Sequence, residues 1–386
     1  MMAKTTTEVK PPTAVGLAGV TVGDTQICRV SQTQLIYRGY EIADLAQNAT
    51  FDEVAYLLLV GKKPTTGELK SFKDELASLR QIPDGLKAML REIAADPPAA
   101  HPMAILRTGV SYLSHFDPDA EDNSPPAGLR KAKRLLAQIP TIIGYGQMVR
   151  DGKDPVDPDP TLDHAANLLW CMTGQSAPEL YGRVIDVSLI LYAEHDFNAS
   201  TFAGRVIAST EADMHSSVCG AIGALKGPLH GGANEKAMEM LKEIDAFVQT
   251  GGTIEQWMDR AFAEKRKLMG FGHRVYKQGD HRAGILRSLG LRVAEHRGAE
   301  FKKWFDIGDR VQQIMLQKKN IRPNVDYPCG PTYYVMGIPV DQYTPIFVAS
   351  RITGWCAHIM EQHASNRIIR PLASYTGPAL RKWQDG

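Results

Sequence analysis

The chain has 386 residues, of which 44% are hydrophobic and 23% are charged, a composition typical of a globular protein with a substantial core. Its 44 basic and 43 acidic residues give a formal net charge of +1. This balance provides no electrostatic reason to expect nucleic acid or an anionic membrane as a partner. The five cysteines include no CxxC pair, which favours reduced thiols in a cytoplasmic protein over a disulfide framework.

We predict no secretory signal in the N-terminal segment. Residues 1–15 contain lysine, threonine and proline but no apolar stretch, so we predict a disordered tail. An organellar transit peptide is the alternative interpretation. No run in the chain approaches the roughly 18 apolar residues that a membrane-spanning helix needs, and none is predicted.

Strand patterns are confined to the first forty residues. Apolar residues at 20–22 and 27–30, on either side of Gly23-Asp24, predict a β-hairpin. A further short strand is predicted within residues 34–40.

Helical periodicity begins at residue 50 and dominates the rest of the chain. Thr50 and Glu53 form a capping box, and the helix that they begin is predicted to end at Gly61. Residues 184–193 are apolar on nearly every face, which predicts a buried central helix. The fold class is therefore predicted to be all-α with a minor N-terminal β hairpin. Apolar residues at helical spacing predict further helices over 69–79, 86–93, 103–113, 135–149, 203–209, 218–225, 235–248, 253–267, 283–297, 301–317 and 344–363.

A change in composition suggests two domains. Residues from 234 to about 320 are more charged than the segments on either side of them. We predict a small helical domain of residues 234–327, inserted into a large helical domain formed by residues 16–233 and 328–386.

Several familiar site motifs are missing from the sequence. It contains no GxxxxGKS or GxxxxGKT phosphate loop, no GxGxxG after a strand, no HExxH and no GxSxG. No histidines and cysteines have the spacing of zinc ligands. Acid–base chemistry without a metal is the class of reaction that remains.

The stretch 265–282 combines glycines, two histidines and a high density of Lys and Arg. Such a stretch is either a solvated basic loop or a segment whose backbone approaches an anionic ligand. His230, His273 and Asp326 each lie at a break marked by glycine or proline, where functional residues concentrate. A single histidine at such a place is more often structural. Two histidines and an acid, accompanied by several arginines, favour a site for a dicarboxylate.

Five blocks of sequence carry a family resemblance. The chain resembles the citrate synthase family from Gly16 to Pro378, with the blocks in that family's order and spacing. The resemblance implies a large and a small helical domain, a homodimer, and condensation of a short acyl-CoA with oxaloacetate followed by thioester hydrolysis. It implies no metal or other cofactor, because the coenzyme A thioester is a substrate. The blocks are AEHDFNASTFAGRV, GALKGPLHGGANE, MGFGHRVYK, NVDY and NRIIRPLASYTGP.

The same resemblance assigns roles to individual residues. Asp326 is similar to the base that removes a proton beside the thioester, and His230 to the group that stabilises the enol or enolate. His273 is similar to the acid that polarises the oxaloacetate carbonyl. Arg370 is expected to reach the site of the neighbouring subunit. The remaining oxaloacetate ligands that the resemblance implies are Arg282, Arg351 and His195, together with Arg80 on the basis of a short motif.

A coenzyme A site is implied by the same blocks. The family lays the adenine end of coenzyme A against the backbone of the segment before the second histidine, and cationic side chains follow it. The residues implied are Leu268, Met269, Gly270, Phe271, Gly272, Lys277 and Arg274.

Three functional alternatives stay open at this point. Citrate synthase activity with acetyl-CoA is favoured, and 2-methylcitrate synthase activity with propionyl-CoA is the alternative within the family. A non-catalytic homologue acting as a binding protein is the alternative from another class. One departure also stands out, because His281 occupies a position where the family usually has proline or serine.

Overall fold

The computed structural model describes residues 15–17, 19–95, 100–273 and 275–383. The predicted tail falls outside these ranges except for its last residue, and so does Arg274. Within the described residues, no helix is long and apolar enough to cross a membrane.

Helices form most of the described structure, which confirms the predicted fold class. Their bounds are α1 Ile42–Asn48, α2 Phe51–Val60, α3 Thr66–Leu79, α4 Asp84–Ala95, α5 Pro102–Leu113, α6 Pro125–Arg150, α7 His164–Thr173, α8 Glu179–Tyr192, α9 Ala199–Ala208, α10 Met214–Leu225, α11 Ala233–Gln249, α12 Ile254–Ala263, α13 His281–Arg297, α14 Ala299–Lys319, α15 Asp326–Val335 and α16 Tyr343–Ala364.

A small antiparallel sheet precedes the helices. Its strands are β1 Cys28–Val30, β2 Leu35–Tyr37 and β3 Tyr40–Glu41, in that order. The predicted hairpin at Gly23-Asp24 is wrong in position, because Gly23 does not adopt the positive φ of a tight hairpin turn. The tight turn lies instead at Arg38-Gly39, where both residues have positive φ and join β2 to β3.

Local helix signals agree with the structure where they are strong. Thr50 caps α2 through the predicted capping box with Glu53, and Gly61 ends it in the left-handed conformation. Helix α6 begins at Pro125, well before its predicted start at residue 135, and it continues through Pro140. Helix α15 was not predicted, because Pro328 and Pro331 within it resemble loop signals.

The core is organised around α16, which is buried along almost its whole length and packs against α2, α6, α8, α9 and α10. The predicted central helix is confirmed as the buried part of α8. Helices α11 to α15 pack mainly on one another, with α15 lying against α11 and α13. The boundary predicted after residue 327 falls inside α15, and the division into two domains stays a prediction.

Candidate active site

The structure brings together six of the residues singled out in the sequence. The rings of His195 and His273 lie 5.0 Å apart, centroid to centroid. The ring of Phe347 lies near His230, the guanidinium of Arg351 and the ring of Tyr192, and the hydroxyl of Tyr192 bonds Asp326. The cluster consists of His195, His230, His273, Arg282, Asp326 and Arg351.

Two short segments, one before the second histidine and one before the acid, pair with each other. Residues 270–272 pair with residues 322–324 through hydrogen bonds from Gly272 N–H to Arg322 O and from Asn324 N–H to Gly270 O, both 2.9 Å. Gly270 has a φ of 80°, and a Cβ there would lie 2.8 Å from Cβ of Tyr327. Only glycine permits this approach, which fixes the loop before His273 against the first turn of α15.

His273 is held as a neutral ring. Its Nδ1 accepts hydrogen bonds from the backbone N–H groups of Val275 and Tyr276, both at 3.1 Å. Burial lowers the pKa of His273 to about 4, and the nearby charge of Arg282 acts in the same direction. Because Nδ1 is the acceptor, the ring proton resides on Nε2, which can donate to a substrate oxygen.

His230 is held as the opposite neutral tautomer. It lies in the loop between α10 and α11, and its Nε2 lies 2.8 Å from the hydroxyl of Ser200 and accepts from Ser200 N–H at 3.3 Å. Asn198 and Trp355 bond the same hydroxyl and fix it in place. Burial lowers the pKa of His230 to about 3, with Arg351 adding to the effect. The ring proton is left on Nδ1.

Asp326 has the properties of a general base. It is the first residue of α15, and its N–H donates to Oδ1 of Asn324 at 3.0 Å. Burial raises the pKa of Asp326 to about 6, although the Tyr192 hydroxyl, which donates to Oδ1 at 2.9 Å, opposes this rise. A carboxylate of raised basicity that is still ionised at neutral pH is suited to removing a proton from carbon.

The two central arginines differ in how many of their nitrogens donate hydrogen bonds within the protein. Arg282 donates from Nε and one terminal nitrogen to Asp280, and from the other terminal nitrogen to Leu191 O. Arg351 is fully buried and donates from Nε to Tyr192 O at 2.7 Å. One terminal nitrogen of Arg351 is buried without a hydrogen-bond partner among the described residues. Burial lowers the pKa of Arg351, whereas the charge of nearby Glu194 raises it. The unbonded terminal nitrogen can donate to an anionic ligand.

His195 completes this side of the site. It follows the end of α8, and its Nε2 lies 3.1 Å from the hydroxyl of Tyr276. Burial holds the pKa of His195 well below its usual range, and the charges of Arg282 and Arg351 reinforce the effect. This residue is therefore a third neutral imidazole.

Other predicted site residues lie outside this cluster. Arg80 is buried, but its guanidinium donates to the carbonyl oxygens of Asp159 and Leu162, which gives it a structural role in another part of the chain. Arg370 lies in the exposed segment that follows α16, and it has no contact with the cluster within the described chain. Lys277 is exposed and donates to His273 O at 3.1 Å.

The segment 268–272, predicted to offer backbone groups to coenzyme A, lies next to His273. Part of that backbone is already used, because Gly272 O accepts from the amide of Asn324 at 2.9 Å. The role of this segment stays a prediction.

Four residues that sequence reasoning missed support the site, and they are Tyr192, Ser200, Asp280 and Asn324. Two of them carry a local signal. Ser200 lies in the first turn of a helix capped by Asn198, and Asn324 stands two residues before Asp326, the spacing of an Asx turn. The contacts of Tyr192 with Asp326 and of Ser200 with His230 join residues far apart in sequence, and no local pattern indicates them.

Fold and site together define an enzyme that performs acid–base chemistry on an anionic substrate. A family model described as "Citrate synthase, C-terminal domain" matches residues 16–372. The chain belongs to the citrate synthase family.

Similar proteins include members with two different names. The chain is 42% identical to 2-methylcitrate synthase 1 of Corynebacterium glutamicum, over 95% of this chain and 96% of that protein. It is also 42% identical to citrate synthase of Mycolicibacterium smegmatis, over 95% and 96%. Among solved structures, citrate synthase of Thermoplasma acidophilum in a ternary complex with carboxymethyl coenzyme A and oxaloacetate has a TM-score of 0.89. Its identity is 32%, and the match covers 96% of this chain and 98% of that chain.

Proposed function

We propose that this protein condenses a short acyl-CoA with oxaloacetate and then hydrolyses the thioester, with acetyl-CoA as the preferred acyl donor. The observation that carries the proposal is the pair of neutral histidines, held as opposite tautomers near a carboxylate of raised pKa. The similar structure that holds oxaloacetate and a coenzyme A analogue supports the choice of substrates.

Enolisation is the first step of the proposed reaction. The carboxylate of Asp326 removes a proton from the carbon beside the thioester, and Nδ1–H of His230 donates to the thioester oxygen as negative charge develops on it. Positioned proton transfer contributes roughly 10²–10⁴-fold to such a rate, and a donor aimed at the developing oxyanion about 10²–10³-fold. A neutral donor suits this role because it does not form an ion pair with Asp326 in the resting enzyme.

Carbon–carbon bond formation is the second step. Nε2–H of His273 donates to the ketone oxygen of oxaloacetate and protonates it as the new bond forms. Arg351 offers its unpaired terminal nitrogen to one carboxylate, and Arg282 and His195 complete that side. Guanidinium groups suit carboxylates because they donate two parallel hydrogen bonds.

Coenzyme A is placed in this proposal along the backbone of residues 268–272, beside His273, with Lys277 and Arg274 near its phosphates. The reaction needs no metal or other cofactor, so dialysis against a chelator leaves turnover unchanged. We also place the protein in the cytoplasm, which its five free cysteines support.

Propionyl-CoA is the second candidate, because relatives of equal identity are named 2-methylcitrate synthase. The test is the ratio of kcat/KM for acetyl-CoA and propionyl-CoA at saturating oxaloacetate. A higher value for acetyl-CoA supports the first assignment. A strong preference for propionyl-CoA overturns it in favour of the second, and turnover of neither thioester refutes both.

A homodimer is the assembly that we propose. The segment after α16 extends to residue 383 without regular structure and exposes large apolar side chains, with Leu372 at 88% and Trp383 at 99% exposure. An apolar segment of this kind is a candidate for burial against a second copy of the chain. In such a dimer Arg370 supplies the third guanidinium to the neighbouring site.

A further inference from the structure

A separate cavity of about 300 Å³ lies among α13, α14 and α15. Its size matches the lower end of the range of small-molecule sites, about 300–1,000 Å³. None of the catalytic histidines, Asp326 or the segment 268–272 lines it. The cavity is therefore distinct from the site described above.

The inner wall of this cavity is apolar and aromatic. Trp304 and Phe305 of α14 and Tyr327 of α15 line it, and all three are buried. The hydroxyl of Tyr327 donates to Gly308 O at 2.8 Å, so it offers no free donor to a ligand. Gly284 of α13 lies at the exposed edge of the cavity, and a Cβ built there meets no atom within 4 Å. This wall suits a flat, apolar ring.

The mouth of the cavity carries positive charge. Arg322 lines it, and its guanidinium forms no hydrogen bond or ion pair with the described residues, which leaves it available to a ligand. Two carboxylates line the cavity, and both are already paired, Asp309 with Arg287 and Asp280 with Arg282. His281, the residue that departs from the family pattern, is exposed at the same mouth. The free groups at the mouth therefore favour an anion.

We propose that this cavity is a second binding site, which takes a small anion carrying one or two aromatic rings. Its walls include the first turns of two helices that carry active-site residues. Helix α13 places His281 at the cavity and Arg282 in the site, and α15 does the same with Tyr327 and Asp326. Occupancy is thereby coupled to oxaloacetate binding.

The test is calorimetric titration of the full-length protein with 1-naphthyl phosphate. We expect binding at one site per chain, and binding at least tenfold weaker for 1-naphthol and for inorganic phosphate, since each lacks one half of the recognised group. Saturating coenzyme A leaves the affinity unchanged. Displacement by coenzyme A would mean that the probe occupies the thioester site and would overturn the proposal, as would an absence of binding.

Two variants locate the site. Gly284→Leu adds a large side chain at the edge of the cavity and abolishes binding by obstructing it, whereas Gly284→Ala retains binding. Arg322→Gln weakens binding by about tenfold, the effect of one charge-assisted hydrogen bond. Arg292→Gln, which removes an exposed charge from α13 away from the cavity, changes nothing. Melting temperatures show that each variant is folded. Binding that survives both Gly284→Leu and Arg322→Gln refutes the site.

The proposed coupling between the cavity and the oxaloacetate site is tested by a separate measurement. Linkage is reciprocal, so saturating oxaloacetate changes the affinity for 1-naphthyl phosphate by at least threefold if the two sites communicate. Equal affinities with and without oxaloacetate refute the coupling.

Discussion

The hydroxyl of Tyr192 donates a hydrogen bond to Oδ1 of Asp326 at 2.9 Å, although burial raises the pKa of that carboxyl to about 6. The same tyrosine accepts the Nε–H of Arg351 on its backbone oxygen. Tyr192 therefore connects the proposed base to the proposed carboxylate ligand. It also sets how far burial shifts the titration of the base.

Replacing Tyr192 with phenylalanine tests this contact through the pH profile. The hydrogen bond stabilises the ionised form of Asp326, so its loss raises the pKa further. A bond worth about 0.5–1.5 kcal/mol corresponds to roughly one pKa unit at most. Because the base must be ionised, the acidic limb of kcat/KM moves to higher pH by up to about one unit.

Tyr327→Phe is the matched control for this experiment. Tyr327 is also buried, and its hydroxyl donates to Gly308 O rather than to Asp326. The acidic limb of kcat/KM for Tyr327→Phe is expected to stay at the pH of the parent protein. An unchanged limb in Tyr192→Phe would show that the contact does not tune the base.

Asp326→Asn separates activity from stability. The substitution removes the base and lowers kcat by roughly 10²–10⁴-fold. Burial raises the pKa of Asp326 from 3.8 to about 6, so ionisation costs the folded state free energy. The cost is absent below pH 3.8, grows between pH 3.8 and 6, and is complete above pH 6.

Because ionised Asp326 destabilises the folded state, its replacement by asparagine is expected to raise stability where the carboxyl is ionised. The variant has a higher Tm than the parent protein at pH 8 and nearly the same Tm at pH 4. Thermal unfolding at the two pH values measures the difference. A lower Tm at pH 8 would contradict the raised pKa, because the carboxylate would then stabilise the fold.

Ser200→Ala tests how His230 is held. The backbone N–H of Ser200 still donates to Nε2, but the hydroxyl at 2.8 Å is lost. We expect kcat to fall about tenfold with little change in either KM, since the residue orients the ring and does not contact a substrate in the proposed reaction. Ser217→Ala is the control, because that hydroxyl donates to Asp213 O at the start of α10 and not to the site. Equal kcat in both variants would remove Ser200 from the mechanism.

Sequence patterns predict the local parts of this molecule well and its long-range parts poorly. The capping box at Thr50 and the helices after it depend on neighbours a few residues apart, and their signals are strong. Helix α15 was not predicted because its two prolines have a low helix propensity. Its packing against α11 and α13 outweighs that propensity in the folded protein. The hairpin signal at Gly23-Asp24 failed because Val20 and Val22 find no buried face there and remain exposed.

The candidate site shows the same division. His230, His273 and Asp326 could be singled out because each lies in a distinctive local block, and the structure places them in one cluster. Their supporting residues were missed, since Tyr192 lies 134 positions from Asp326 and Ser200 lies 30 positions from His230. A hydrogen bond between such residues exists only after the chain has folded. Arg80 is the opposite case. A short motif suggested that it binds substrate, but in the structure its guanidinium donates to carbonyl oxygens of the protein.

The proposed dimer can be tested by complementation between two inactive variants. Asp326→Ala removes the base from a chain's own site, whereas Arg370→Ala removes a guanidinium from the partner's site. In a mixed dimer the chain with the intact Asp326 receives the intact Arg370 from its partner. One site is then complete and the other lacks both residues, so a mixed dimer recovers about half of the parental turnover.

Co-expression with two affinity tags and tandem purification isolates the mixed dimer for this measurement. Each variant alone shows turnover reduced by at least about tenfold, as expected when one charged hydrogen bond or the base is lost. A mixed dimer of Asp326→Ala with Asp326→Ala carrying the other tag is the control, and it recovers nothing because neither site has a base. If the Arg370→Ala and Asp326→Ala pair likewise recovers nothing, Arg370 serves its own chain. If Arg370→Ala alone keeps the parental turnover, Arg370 serves no site. If the purified protein sediments as a stable monomer, the shared site is excluded directly.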